Sequence, residues 1–315
     1  MLVRVNLMMA VSVSFRCRLP VLRKRESLMQ KIRSYFRRSR AARIAVCALG
    51  VLLVLLLLFH PKGTKTYLIL GMDNYGSLEE NGRSDVMMLV QIDFSHSEIS
   101  TVTFARDMFI PDENGRKQKI NTIVRQSGEE ALVTAMENAF QVDIDGWFRV
   151  NFTTVIELVD AIGGVRIDLT EKEARYINRN TGDYEPLVEG KNHLNGDQAL
   201  VFARCRQLDN DMGRGERQNK VMAAMVAQTK RMTIANVVSV FSSLKHAWVS
   251  SLSGFEQVRL LGNALWLRGA HVNSIGMPLG NWKYANSGVE IKMEENVQLL
   301  HEALGLPAPV FPDKK

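Results

Sequence analysis

TYLILGMD, residues 66 to 73, is an apolar run that stops at a glycine and an acid, and VMMLVQID (86 to 93) and EISTVTFARD (98 to 107) soon repeat the pattern. Dense apolar and β-branched stretches bounded by polar turns predict central strands covered on both faces. Helical periodicity follows in EEALVTAMENAF (129 to 140) and VNFTTVIELVDAIGG (150 to 164), where Gly163-Gly164 is a natural stop, and VRIDL (165 to 169) reads as a short strand. NGDQALVFAR and GRGERQNKVMAAMVAQTKRM read as further helices. This order of strands and helices predicts a layered α/β/α domain rather than a helical bundle. Beyond residue 233 the signal softens. VSVFSSLKHAWV and FEQVRLLGNALWLRG read as helices, GMPLG and VEIKM as short sheet-edge pieces, ENVQLLHEALG as a closing helix, and PAPVFPDKK as a frayed tail. With no internal repeat and no long low-complexity linker, residues 61–315 are expected to form one domain.

Upstream, IAVCALGVLLVLLLLF (44 to 59) carries no charge. Sixteen helical residues span roughly 24 Å, close to a hydrocarbon core of roughly 30 Å, so residues 44–60 are expected to be one transmembrane helix. The run passes directly into HPKGTKT without a small-x-small cleavage site, which favours a retained anchor over a cleaved signal peptide. Residues 1–43 hold twelve Lys or Arg and one acid, Glu26, for a charge of +11, while the remainder carries 28 bases against 32 acids. The positive-inside rule therefore places the basic tail in the cytoplasm and the main domain outside it, in the cell membrane as a single-pass protein. The sequence pI of about 9.4 belongs to the tail, and the net-acidic domain has no general affinity for nucleic acid. Met29 begins MQKIRSYFRRSR, which reads as a natural start, so residues 1–28 are expected to be untranslated or a disordered tail.

Cys17, Cys47 and Cys205 leave a single thiol for the outer domain, so no disulfide is expected within it, and Cys205 reads as a small buried hydrophobe. The histidines are too scattered for a zinc set, and glycine-rich nucleotide-binding motifs are absent. Chemistry gathers instead at strand ends, where ligands sit in open α/β sheets: Asp73 after ILGM, Arg83-Ser84-Asp85 before VMMLV, and Arg106-Asp107 after VTF. Carboxylates beside arginines suit a divalent metal with an anionic substrate, because hard oxygens hold Mg²⁺ and the guanidinium fork grips phosphate. A denser cluster, FARCRQLDNDMGRGERQ, sets Arg204 and Arg206 at a strand-like spacing of two, followed by Asp211, Arg214 and Arg217. Arg214 and Arg217, three apart, share one face of a helix, and the group reads as a polyanion or pyrophosphate site. Lys119-Ile120-Asn121 reads as a strand end with ordinary surface polarity. His193 reads as structural or capping. The four tryptophans, Trp147, Trp248, Trp266 and Trp282, read as core or pocket wall.

At these residues the chain resembles the LytR-CpsA-Psr family of envelope proteins. The matching stretches are YLILGMD (67–73), GRSDVMMLVQID (82–93), VTFARDMFI (102–110), KIN (119–121), VIELVDAIGGVRID (155–168), LNGDQALVFARCR (194–206) and DMGRGERQ (211–218), in a motif-bearing core over 66–230. The resemblance implies a mixed central sheet between helices. It also implies transfer of a glycopolymer, such as a teichoic acid or capsule, from a polyprenyl-pyrophosphate carrier to peptidoglycan through a phosphodiester link. Under it, Asp85 and Asp107 hold Mg²⁺, with Mn²⁺ as the alternative, and help activate the acceptor hydroxyl. Arg83, Arg106, Arg204, Arg206, Arg214 and Arg217 hold pyrophosphate, and Asp73 and Asp211, with Lys119 and Asn121, line the site. The chain departs from the family pattern at Tyr75, where an arginine is usual, at Ala105 for proline, at Met108 for threonine, and mildly at Phe202. A polyprenyl-pyrophosphate glycan hydrolase or a noncatalytic binder of anionic envelope polymer would use nearly the same residues.

Overall fold

The computed structural model describes residues 62–72, 84–205 and 211–311, apart from short gaps at 234–235, 238, 241–243, 245–246, 264–266, 268 and 286–287, together with residues 44, 46, 47, 49 and 50. The chain divides into two units, Met1–His60 and Pro61–Lys315. In the first, Ile44, Val46 and Leu49 are helical and exposed. The rest of the expected transmembrane span and the whole basic tail lie outside the described residues, among which no helix is long and apolar enough to cross a membrane.

The second unit is built on a six-stranded mixed sheet, in the order β10-β3-β2-β1-β6-β9. Its strands are β1 (Thr64–Met72), β2 (Ser84–Asp93), β3 (Glu98–Phe104), β6 (Gly146–Val150), β9 (Val249–Ser250) and β10 (His271–Met277). β2 runs antiparallel to β1 and β3, β6 is parallel to β1, and β10 is parallel to β3. The C-terminal ends of β1, β3, β6 and β10 therefore share one edge of the sheet with the start of β2. Three two-stranded sheets accompany it: β4 (Phe109–Pro111) with β5 (Lys117–Lys119), β7 (Val165–Leu169) with β8 (Gly190–Leu194), and β11 (Trp282–Ala285) with β12 (Gly288–Ile291).

Alternation along the strands assigns the two faces. Leu68, Leu70, Met87, Leu89, Val102 and Phe104 join one core with α1 (Ile120–Ser127), α2 (Glu129–Phe140) and α8 (Met293–Leu304). On the opposite face Tyr67, Ile92 and Ile99 meet α6 (Asp211–Thr229) and α7 (Gly254–Asn263) through Val226 and Leu260. A satellite core joins α3 (Phe152–Ala161), α4 (Glu171–Asn180) and α5 (Gly196–Arg204) with β7, β8 and Val221 of α6. Each of these three helices starts at a capping box, Asn151 with Thr154, Thr170 with Glu173 and Asn195 with Gln198. The cap on α5 is Asn195 rather than His193, which pairs with Arg166 across the β7–β8 sheet. Gly196 is required where α5 crosses α3, since a Cβ there would stand 2.4 Å from the Ile156 carbonyl oxygen.

The layered reading holds, with local corrections. GWFRV, not singled out in the sequence, is a strand, and the helix expected over 150–164 is α3 from Phe152 to Ala161. Arg204 ends the helix expected over NGDQALVFAR, so the strand-like spacing read at Arg204 does not describe its backbone. KIN is the joint between β5 and α1, and the sheet-edge piece expected at GMPLG is a full seven-residue strand that starts at His271 and ends at Met277. Val249 of the expected helix VSVFSSLKHAWV pairs with Arg149 as strand β9. The tail is tied down as far as Phe311: Val310 and the Gln141 side chain exchange hydrogen bonds of 2.8 and 2.9 Å, and Phe311 packs on the core.

Candidate active site

At the shared sheet edge, β2 begins with Ser84-Asp85 while β3 ends at Phe104 and turns through Ala105, Arg106 and Asp107. The Arg106 Nη1 donates to both Asp85 carboxylate oxygens, at 2.9 and 3.0 Å. Arg214, in the first turn of α6, donates from Nη2 to the Asp85 carbonyl at 3.3 Å. One turn on, Arg217 donates to the Cys205 carbonyl at 2.7 Å, which ties α6 to the end of α5. Both guanidinium groups are buried, at 7% and 3% exposure. Cations taken out of water at a cost of several kcal/mol must be repaid by hydrogen bonds and anions, and these bonds to backbone carbonyls are part of that repayment. Arg204 stacks its guanidinium 3.9 Å over the Phe152 ring at the start of α3. Nearby, burial, then the Cys205 thiol, raises the Tyr176 hydroxyl pKa, opposed by Arg204 and Arg217.

The Arg106–Met108 segment is clamped from two sides. Asn121 and Ile120 at the start of α1 donate backbone bonds to the carbonyls of Arg106 (3.2 Å) and Met108 (2.9 Å), and Val289 of β12 donates to that of Asp107 (3.0 Å). Gly288 makes the second clamp feasible, since a Cβ there would come within 2.5 Å of the Asp107 carbonyl oxygen. Within this clamp the side-chain oxygens Asp107 Oδ1 and Asn121 Oδ1 are buried without a hydrogen-bond partner. Buried polar atoms are normally satisfied, and two hard oxygens left so are what a divalent cation takes up. Among the described residues no three His, Cys, Asp or Glu side chains cluster as a metal site. A donor set of one carboxylate and one amide oxygen fits Mg²⁺, which takes few protein ligands and completes its shell with phosphate and water. Asp85, expected as a second metal ligand, carries the Arg106 guanidinium on both carboxylate oxygens.

A cleft of about 380 Å³ opens between Asp85, Arg106 and Arg214 on one side and β10, Trp282 and Tyr284 on the other. Farther along the same face of the sheet lies a cavity of about 330 Å³ with an apolar wall, made by Tyr67, Ile69, Val90, Ile99, Phe148 and, from α6, Met222 and Val226. Asn219 stands between the two along α6. Its Oδ1 accepts from the Thr103 hydroxyl at 2.6 Å, and its Nδ2 reaches the Ile275 carbonyl at 3.5 Å.

The structure thus brings Asp85, Arg106 and Arg214 together, with Asp107 and Asn121 on the adjoining segment, and sets Arg217 and Arg204 at the α5–α6 junction. Lys119 ends β5 with its ammonium 5.8 Å from the Phe109 ring centroid. Asp73, Arg83 and Arg206 lie outside the described residues. Asp211 is the first residue of α6, and its side chain lies outside them too. Sequence reasoning missed Asn219 and Tyr284 as parts of the site, whereas Trp282, read as core or pocket wall, does line the cleft. The alternating aromatics of WKYA were the visible signal for Tyr284.

A model of the LytR_cpsA_psr family matches residues 35–299. The chain is 29% identical over 166 residues to the polyisoprenyl-teichoic acid–peptidoglycan teichoic acid transferase TagV of Bacillus subtilis (strain 168), a match covering 50% of this chain and 42% of that one. It is 33% identical over 162 residues to the corresponding transferase TagU of Bacillus anthracis (strain CDC 684 / NRRL 3495), covering 50% of each. The chain thus spans about half the length of the curated relatives it matches. In fold it is similar to a solved structure of TagT bound to LIIa-WTA, with a TM-score of 0.64 at 22% identity over 78% of this chain and 92% of that one.

Proposed function

From the premise that the chain belongs to the LytR-CpsA-Psr family, we propose that it is a membrane-anchored phosphotransferase. It moves a glycopolymer from a polyprenyl-pyrophosphate carrier to peptidoglycan and leaves a phosphodiester link. The observation that carries this reading is the sharing of one helix, α6, by an arginine-lined cleft and an apolar-walled cavity. A lipid-linked pyrophosphate has the matching two-part chemistry. The relatives named as teichoic acid transferases support the same reading.

In this reading Arg106 and Arg214 grip the pyrophosphate, and Arg217 and Arg204 add positive potential behind them. Asp85 holds the Arg106 fork in place until phosphate oxygens arrive. An acceptor hydroxyl of peptidoglycan attacks the phosphorus that carries the glycan, the bond to the second phosphate breaks, and polyprenyl phosphate leaves with the electron pair. The Asp107 carboxylate takes the hydroxyl proton as the new P–O bond forms. Asp107 and Asn121 would hold Mg²⁺, which supplies charge neutralisation at the phosphate oxygens. The apolar cavity takes the polyprenyl chain. The apolar run over residues 44–60 anchors the chain with its basic tail in the cytoplasm, which keeps the domain outside the cell beside both substrates.

The test incubates the full chain in detergent with a short polyprenyl-pyrophosphate glycan, peptidoglycan fragments and Mg²⁺, beside Asp107→Ala and Arg106→Ala, and follows the linked product by mass spectrometry. Acceptor-dependent product lost in both variants is expected. Released glycan phosphate without linkage would make the protein a hydrolase. Binding without turnover would make it a polymer binder.

A further inference from the structure

We propose that the β11–β12 hairpin carries a saccharide-binding platform, in which the rings of Trp282 and Tyr284 receive the first sugars of the donor glycan. This rests on the phosphotransferase reading of the adjoining cleft. The two residues are two apart on one strand and so point to the same side, with ring centroids 5.4 Å apart at 83°. They remain 40% and 63% exposed, although burying such rings would be favourable. Among the exposed large hydrophobic side chains of the described residues, these two alone line the cleft that contains Asp85, Arg106 and Arg214.

The hairpin is held at both ends. At its entrance the Asn296 side chain, fully buried on α8, accepts from the backbone of Leu279 (2.9 Å) and Gly280 (3.0 Å), while Glu295 holds the Asn281 side chain at 2.8 Å. At its return strand Val289 is bonded to the Asp107 carbonyl. The aromatic pair is thereby fixed relative to the acid at the reaction centre. Ring faces offered beside hydrogen-bonding groups match a pyranose, whose axial C–H bonds form an apolar patch edged by hydroxyls. Gln218, Glu216 and Ser274 on the facing walls of the cleft supply polar partners. A lipid tail is disfavoured here, because the same cleft is lined by charged and polar side chains and the apolar-walled cavity lies elsewhere. The glycan leaves the pyrophosphate on the side away from its lipid, and these rings line the arginine cleft rather than the apolar-walled cavity.

The experiment measures binding of two ligands to the full chain in detergent: polyprenyl pyrophosphate, and the same carrier bearing an N-acetylhexosamine disaccharide. Wild type is compared with Trp282→Leu, Trp282→Phe and Tyr284→Leu, each checked for an unchanged unfolding temperature. The expected result is about a tenfold loss for the disaccharide ligand in Trp282→Leu, a smaller loss in Trp282→Phe, and no change for the sugar-free carrier. Tyr284→Leu, at the more exposed ring, tests the platform without disturbing Trp282 and should also weaken only the disaccharide ligand. No loss in any variant, or equal loss for both ligands, overturns the platform. If the sugar-free carrier binds wild type and Arg106→Ala equally well, the phosphate site itself falls and the platform with it.

Discussion

The two cavities against α6 are similar in volume, at about 380 and 330 Å³, yet opposite in chemistry. One is walled by Arg214, Glu216 and Gln218 from the first turns of the helix, the other by Met222 and Val226 two turns later. Between them lies Asn219, bonded to Thr103 of the neighbouring strand. A single helix can separate charge from hydrocarbon in this way because the i, i+4 row 214, 218, 222, 226 stays on one face while its composition changes. The charged half is constrained by hydrogen bonds with fixed directions, whereas the apolar half is constrained by volume alone. Substitutions in the two halves should therefore fail differently.

The largest effect is expected in the charged cleft. Arg214→Ala should lower the transfer rate by roughly 10²–10³-fold with the fold intact, read as turnover under saturating donor. Next, Met222→Trp, which fills the apolar cavity, should raise the KM for a long-chain polyprenyl donor about tenfold while a short-chain analogue is nearly unaffected. An equal effect on both chain lengths would break the proposed division of labour. A smaller change is expected at the partition: Asn219→Leu strands the Thr103 hydroxyl and should cost about 1–2 kcal/mol in urea unfolding.

The smallest concerns Tyr67 on the apolar wall. Burial, and then the Asp145 carboxylate, push its hydroxyl pKa from 10.0 up to about 12. Because the folded state holds the proton more tightly than the unfolded state, this contribution to stability is whole below pH 10 and is lost as pH rises toward 12. Tyr67→Phe should flatten that part of the alkaline unfolding curve, and an unchanged slope would remove the burial argument.

The charged half was the more legible in sequence, for the same physical reason. Asp85 and Arg106 are polar residues beside the ends of apolar runs, and Arg214 belongs to a cluster of four arginines, so each is visible in the local sequence. The apolar cavity draws on β1, β2, β3, β6, α6 and α7, and apart from Thr229 and Lys230 its side chains do not differ in type from the core residues around it. β1, β2 and β3 were legible because each is a long run covered on both faces. β6 was hidden because GWFRV is five residues long and abuts the cap of α3, so the helical period that follows absorbs it. α1 is only eight residues long and starts within KIN, which reads as a strand end. Asn121 accordingly read as surface polarity, although the fold buries its side-chain oxygen beside the Asp107 segment. The pairing of Asp85 with Arg106, twenty-one positions apart, depends on strand register and so lies beyond local pattern.

The regular rise of α6 also makes it a ruler. At about 1.5 Å per residue, the eight positions from Arg214 to Met222 measure roughly 12 Å. A ligand that engages both must change from charged to greasy within that length. One residue inserted between Asn219 and Met222 would turn everything downstream by roughly 100° and carry Val226 off the cavity wall, so the helix tolerates exchange of side chains far better than a change in their count.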